Sequence, residues 1–250
     1  MSAASLVTPP SHSKARGLVP LEWVVAIAAA IYWALDLAVL RGGTPAPLDD
    51  SWEMALAARE LLAGHGFRTP MIHPPLYALR DAANHVPVLV HGPLLPLLLT
   101  PFVRLLGAAA VDAVAWLAAA FWVGTAVLTC RVASRAFGTG AAAFAAFLVI
   151  ASPLALRMTH HDVAPAAGAF FAAWALDLIA RPHPHSFAVG FVLGLGALVR
   201  PEFLLALPIA GLALGVRSWP ALLLGYALPV APWALHTFRA TGSPAFNLSS

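Results

Sequence analysis

With 250 residues, 60% hydrophobic and only 10% charged side chains, and a mean hydropathy of +0.82, the chain carries more apolar surface than a soluble domain of this length can bury. Its formal charge of +3 rests on scattered arginines, with Lys14 the sole lysine, so there is no basic stripe and no nucleic-acid partner is expected. The apolar runs are continuous in Ala, Leu and Val and lack barrel-like alternation, so the expected fold class is all-α: a polytopic membrane protein of about seven transmembrane helices.

Residues 1–18 are polar and rich in Ser and Pro, and read as a disordered cytoplasmic N-terminus. Leu21 to Leu40 supply the first span. It follows Lys14 and Arg16 and is too long for a signal-peptide core, so it reads as an uncleaved helix with its N-terminus inside. The remainder, 19–240, reads as one transmembrane module, with 41–107 as its first extracytoplasmic loop. That loop carries Asp49, Asp50, Glu53, Glu60 and Asp81 among Pro, Gly and His, which is not lipid-facing chemistry.

Within the loop, Ser51 to Ala63 predicts a short helix, with Asp50 as N-cap, Glu53 at the capping-box position and Gly64 and Gly66 at its end. Trp52 and Leu56, one turn apart, suit an interfacial position. His91 to Leu106 is short for a span and holds Pro93, Pro96, Pro101 and Arg104, so a juxtamembrane helix is expected. Further spans are expected near 109–130, 140–157, 164–180, 186–199, 203–216 and 219–236, followed by a C-terminal tail at 241–250. This arrangement puts Arg131, Arg135, Arg181 and Arg217 in cytoplasmic turns, and Arg157, Asp162, Arg200 and Glu202 on the outer side. Cys130 lies in an apolar run, where a buried structural role is expected.

The candidate chemistry gathers in the outer loops. Asp49-Asp50 directly outside the first span can share a divalent metal, or one member can take a proton while the other positions it; equally, Asp50 can cap a helix while Asp49 is solvated. Thr159-His160-His161-Asp162 reads as a polar loop whose imidazoles and carboxylate could meet a metal or a phosphate. Arg200-Pro201-Glu202 offers a guanidinium suited to a phosphate oxygen, or an interfacial ion pair. His65, His73, Tyr77, His85 and His91 enrich the first loop, and no Walker loop, zinc-ligand spacing or G-x-S-x-G elbow is present.

Four stretches together resemble the GT-C superfamily of polyprenyl-phosphate-sugar-dependent glycosyltransferases, in its protein mannosyltransferase and aminoarabinose transferase branches. They are Asp49-Asp50 leading to Ala63-Gly64-His65-Gly66-Phe67; His91-Gly92-Pro93-Leu94-Leu95-Pro96 through Leu106-Gly107; Leu198-Val199-Arg200-Pro201-Glu202; and Ala231-Pro232-Trp233 through Arg239, Gly242 and Pro244. The resemblance implies inverting transfer of a sugar, from a polyprenyl-phosphate donor in the bilayer, to a hydroxyl of an extracytoplasmic glycan, lipid or protein acceptor at the cell envelope. It makes Asp49 the catalytic base, assisted by Asp50, and Arg200 the holder of the donor phosphate, where many relatives have lysine. Asp162 becomes the second-loop acidic residue, and Glu202, His161 and His91 fall among the substrate-binding positions. A divalent cation, Mg or Mn, would sit on Asp49 and Asp162. Relatives continue with more helices, so the tail at 241–250 reads as truncated relative to the family. The residues also admit a small permease or lipid flippase, or a catalytically inactive GT-C-like subunit; the first predicts ionisable groups deep within spans and an inverted repeat.

Overall fold

The computed structural model describes residues 20–40, 49–70, 86–87, 92–107 and 110–243. The expected N-terminal tail 1–18 and the tail from residue 244 onward lie outside the described residues. Within them the fold is all-α apart from one two-stranded ribbon. Helices α1 (Leu21–Leu40), α2 (Asp49–Leu62) and α3 (Leu94–Leu106) are followed by α4 (Ala110–Phe137), α5 (Thr139–Ile150), α6 (Pro153–His161) and α7 (Val163–Ile179). Then come α8 (Ser186–Ala197), α9 (Ala206–Leu214) and α10 (Trp219–Thr241), with short 3-10 turns at Pro201–Leu205 and Val216–Ser218. Strands β1 (Arg68–Thr69) and β2 (Val86–Pro87) pair antiparallel between α2 and α3.

Helix α1 is apolar on two faces. Val25, Ala29, Trp33 and Leu37, one turn apart, form the stripe buried against α4, while Trp23, Ile27, Ile31, Leu35 and Val39 are exposed on the remaining face. A helix apolar on both its packed and its free side has hydrocarbon as its natural surroundings. Three helices are long and apolar enough to cross a membrane, at Leu21–Val39, Val114–Phe137 and Val216–Thr241; a fourth crossing arises if α5 and α6, bent by 46°, count as one broken span. The break falls at Ser152-Pro153, where Pro153 opens α6 and the Ser152 hydroxyl caps it by accepting from the Ala155 N–H at 3.3 Å.

Among the described residues three helices, or four with the bent pair, are of spanning length, and seven full spans are not shown. Val163–Ile179, Ser186–Ala197 and Pro201–Leu214 are apolar but short; 17 and 12 residues rise only about 25 and 18 Å against a hydrocarbon core of about 30 Å. Helix boundaries also correct several expectations. Helix α4 continues to Phe137, so Arg131 and Arg135 lie in its last two turns and not in a connecting turn. Arg157, Thr159, His160 and His161 belong to α6, and only Asp162 is left to link α6 to α7, so the expected polar loop is helix. Helix α2 begins at Asp49, which puts Asp50 inside its first turn. Glu53, at the expected capping-box position, is 1% exposed on the inner face of α2.

Two ends of the bundle are distinct. At one, buried Asp177 of α7 accepts from Arg135 Nη1 at 2.8 Å and from Arg181 Nη2 at 2.9 Å, while Arg131 Nε lies 3.5 Å from Glu22 of α1. These contacts fix the senses of the chain. Helix α4 descends to the arginine end, α5 and α6 return, α7 descends with Asp177 at its foot, and α8 rises again. The 3-10 turn and α9 then cross back, so that α8 and α10 run parallel.

Helices α8 and α10 touch through glycine. A Cβ at Gly190 would fall inside the Leu222 carbonyl, one at Gly225 inside the Phe187 carbonyl, and one at Gly194 would come within 2.6 Å of the Tyr226 carbonyl oxygen. Small residues at such contacts let backbones meet where lipid supplies no hydrophobic push. Gly190→Leu is therefore expected to destabilise the protein by at least about 2 kcal/mol, through overpacking against rigid backbone. Thermal unfolding in detergent should show the lowered midpoint, with Gly190→Ala between the two; an unchanged midpoint for the leucine variant would contradict this contact.

Candidate functional site

The first loop is closed onto the bundle by the end of α2. Gly64 and Gly66 adopt φ of +82° and +78°, conformations open to residues without a Cβ. They reverse the chain so that the His65 N–H donates to the Glu60 carbonyl at 3.0 Å, while His65 Nδ1 lies 2.8 Å from Glu60 Oε2. Glu60 is buried on the inward face of α2, along with Glu53, Met54, Ala57 and Ala58. The turn delivers Phe67 to α10, edge-on to Trp233 at 5.3 Å and to His236 at 5.9 Å. Trp233 and His236 are themselves stacked at 4.9 Å with 21° between ring planes, one helical turn apart.

Helix α3 is anchored at the same end. The Leu94 N–H donates to the Leu198 carbonyl at 3.3 Å, and a Cβ on Gly92 would collide with that carbonyl. Between these pieces lies an apolar cavity of about 220 Å³, walled by Phe67 of the loop, Pro93 and Leu97 of the α3 start, Leu198 beyond α8, and Pro229, Pro232, Trp233 and His236 of α10. Residues far apart in sequence thus meet at one mouth.

Arg200 follows two residues after Leu198, which lines this cavity. Its stem lies on α7, where a Cβ at Gly168 would sit 3.3 Å from Arg200 Cδ, and its Nη2 donates to Glu202 Oε1 at 3.1 Å. Both heads are exposed, 43% and 59%, so the pair is a solvated surface bridge of small energetic weight. The Glu202 carboxyl is held below its ordinary value of 4.5, first by its own backbone N–H and then by the Arg200 hydrogen bond. Asp162 caps α7, accepting from the Ala164 N–H at 2.9 Å. Gly168 is six residues further along α7, about 9 Å of rise, so Asp162 and Arg200 occupy the same end of that helix.

The structure therefore brings together Arg200, Glu202 and Asp162 near one end, as well as the loop turn and the α10 aromatics. For Asp49, Asp50 and His161 it describes backbone only: the acidic pair opens α2, and His161 closes α6. His91, with His73, Tyr77, Asp81 and His85, lies outside the described residues. Among the described residues no three His, Cys, Asp or Glu side chains converge to hold a metal ion. Asp162 Oδ1 is committed to the helix cap. The cation expected on Asp49 and Asp162 would take one of its two ligands from a side chain outside the described residues.

Comparison of the chain with protein-family models, curated proteins and solved structures finds no match.

Two parts of this picture were not readable from residue types. His236 carries no pattern of its own; its only sequence signal is the i, i+3 spacing from Trp233 on a helix. The pairing of Asp177 with Arg181 is visible as an i, i+4 spacing, but Arg135, 42 residues away, is not.

Because Glu202 is lowered, its small stabilising contribution is present above the unfolded carboxyl value and fades as pH falls through the folded one. Arg200→Gln should raise the Glu202 titration midpoint, measured by carboxyl NMR, yet leave it below the ordinary value, since the backbone N–H persists. A midpoint unmoved by the substitution would show that the Arg200 to Glu202 bond is not formed in solution.

Proposed function

We propose that the chain is an inverting membrane glycosyltransferase of the GT-C type, moving a sugar from a polyprenyl-phosphate donor to an extracytoplasmic hydroxyl. One observation carries the reading. The cavity takes walls from each of the four stretches on which the resemblance rests: Phe67, then Pro93, then Leu198 beside Arg200, then Pro232 and Trp233. Chance similarity in four separate stretches gives no reason for them to converge.

In this reading the acceptor hydroxyl oxygen attacks the anomeric carbon from the face opposite the phosphate. The bond from that carbon to the phosphate oxygen breaks, its electron pair leaves with the phosphate, and the hydroxyl proton passes to Asp49 with Asp50 orienting it. Arg200 faces the negative charge that develops on the leaving phosphate, with Glu202 fixing the guanidinium direction. Asp162, His161 and His91 are carried over from the resemblance as substrate-binding positions.

We further infer seven crossings with the N-terminus cytoplasmic, α7, α8 and α9 completing their passage with flanking turns and a locally thinned bilayer. Support comes from the alternating senses of consecutive helices, and from Arg131, Arg135 and Arg181 gathering at one end, as cytoplasmic arginines do.

The test is transfer of labelled sugar from a polyprenyl phosphate by membranes containing the chain. Asp49→Asn should lower transfer about a thousandfold, as loss of a general base does. Arg200→Gln should cost about a hundredfold, and Arg200→Lys should recover part of it because the charge remains. Wild-type activity in the Asp49 variant would remove the assigned base, and a neutral Arg200→Gln would remove the phosphate role.

A further inference from the structure

The end of the bundle away from the cavity carries more positive charge than its own carboxylates use. Asp177, buried at the foot of α7, accepts from Arg135 Nη1 on Oδ1 at 2.8 Å and from Arg181 Nη2 on Oδ2 at 2.9 Å, and its backbone carbonyl accepts from Arg135 Nη1 at 3.1 Å. One guanidinium already neutralises a buried carboxylate, so the second leaves a positive charge in excess. Each guanidinium has five N–H donors, and Asp177 is the only partner of either among the described residues. The two side chains are 37% and 42% exposed, so donors remain open to what lies outside the bundle. The nitrogens bound to Asp177 are within about 8 Å of one another, a gap that a phosphate closes with one hydrogen bond to each side.

The surroundings add charge of the same sign. Leu222 of α10 meets Gly190 of α8 and Gly225 meets Phe187, so the two helices start at one level, and Arg217, exposed in the turn before α10, shares this end with Arg181. Arg131 is there too, 3.5 Å from Glu22. Among the described residues, four arginines at this end stand against two carboxylates, Glu22 and Asp177.

The same end is apolar around its charges. Phe137, two residues beyond Arg135, is 80% exposed; Leu176, next to Asp177, and Phe187, after the Arg181 turn, are exposed as well. A soluble anion makes no use of these side chains. A phospholipid uses both, its phosphate on the guanidiniums and its chains on the apolar rim, and basic pockets between helices at a membrane surface take acidic headgroups in this way. A zwitterionic headgroup brings its own cation and leaves the excess charge unpaired.

We infer that Arg135 and Arg181, spread on Asp177, form a binding site for the phosphodiester of an anionic phospholipid such as phosphatidylglycerol, with Phe137 and Leu176 against its chains. The site requires the bundle to lie in a bilayer but requires no sugar transfer, and it is at the opposite end from the proposed transferase chemistry.

The full chain, purified in detergent, is titrated with phosphatidylglycerol and with phosphatidylcholine of the same acyl chains, and bound lipid is counted by native mass spectrometry. Phosphatidylglycerol is expected to bind at least about fivefold more tightly, the weight of one arginine at a headgroup. Arg181→Gln, which leaves Arg135 on Asp177, should remove that preference, whereas Arg217→Gln, outside the triad, should change it by less than about twofold. Asp177→Asn frees both guanidiniums and should strengthen phosphatidylglycerol binding; a triad that serves only to hold α4 to α7 gives a lowered thermal midpoint and no gain. Phe137→Ser, at an exposed position, should weaken the lipid about threefold without touching the core. Circular dichroism confirms that each variant is folded, and if Asp177→Asn does not fold, the comparison of Arg181→Gln with Arg217→Gln still decides. Equal affinity for the two lipids, or an undiminished preference in Arg181→Gln, would overturn the proposal in favour of a structural ion pair. Equal losses in Arg181→Gln and Arg217→Gln would overturn it in favour of diffuse surface charge, and displacement of the lipid by millimolar inorganic phosphate would overturn it in favour of a soluble anion. Lipid preference as expected with no sugar transfer would retain this site and reject the transferase reading; transfer without lipid preference would do the opposite.

Discussion

The contact between α8 and α10 governs the arrangement at the mouth of the protein. Two helices that run parallel cannot be joined by a tight turn, so the chain must cross back between them, which the 3-10 turn at Pro201–Leu205 and α9 accomplish. Backbone-to-backbone approach at Gly190, Gly194 and Gly225 then sets the register. With that register, Leu198 just past the end of α8 faces Pro229, Pro232 and Trp233 of α10, and the cavity exists because those ends are level. The crossover also begins at Arg200, a cation whose stem lies over Gly168.

The loop between α1 and α4 completes what that pair begins. Its two anchors differ in chemistry: a backbone hydrogen bond from Leu94 to Leu198, and an aromatic contact from Phe67 to Trp233. Both depend on glycine. Gly92 allows the first because no Cβ fits beside the Leu198 carbonyl, and Gly64 and Gly66 allow the second by turning the chain through positive φ. Buried Glu60 ties the same turn down through His65, so a polar side chain on the inner face of α2 stabilises the position of an aromatic one.

The opposite end is ordered by charge. Asp177 is completely buried, and Arg135 of α4 and Arg181 just past the end of α7 converge on it from partly exposed positions. A buried carboxylate is tolerated only with such pairing, and removing one partner leaves the other groups uncompensated. This triad joins α4 to α7 and so relates the lipid-length helix to the first of the short ones. Arginine at one end and a cavity with an aromatic wall at the other give the bundle a direction.

Much of this was legible in the sequence, and for simple reasons. Composition alone points to an apolar environment, since a core of this size does not hide 60% hydrophobic residues, and continuous apolar runs without alternation point to helices. Short-range chemistry also reads directly: the Gly64 and Gly66 turn, the helix ending at Leu106 and buried Cys130 follow from local patterns. What local pattern misjudged was continuity. Thr159 to His161 look like a loop by polarity but are helical, because the chain needs only Asp162 to turn from α6 into α7. Span lengths likewise depend on where each helix is stopped, and α8 ends at Ala197, two residues short of its expected run. The convergence of Phe67, Leu97, Leu198, Trp233 and His236 could come only from the tertiary structure. Hydropathy carries no register between helices; that is decided by which glycines meet which carbonyls.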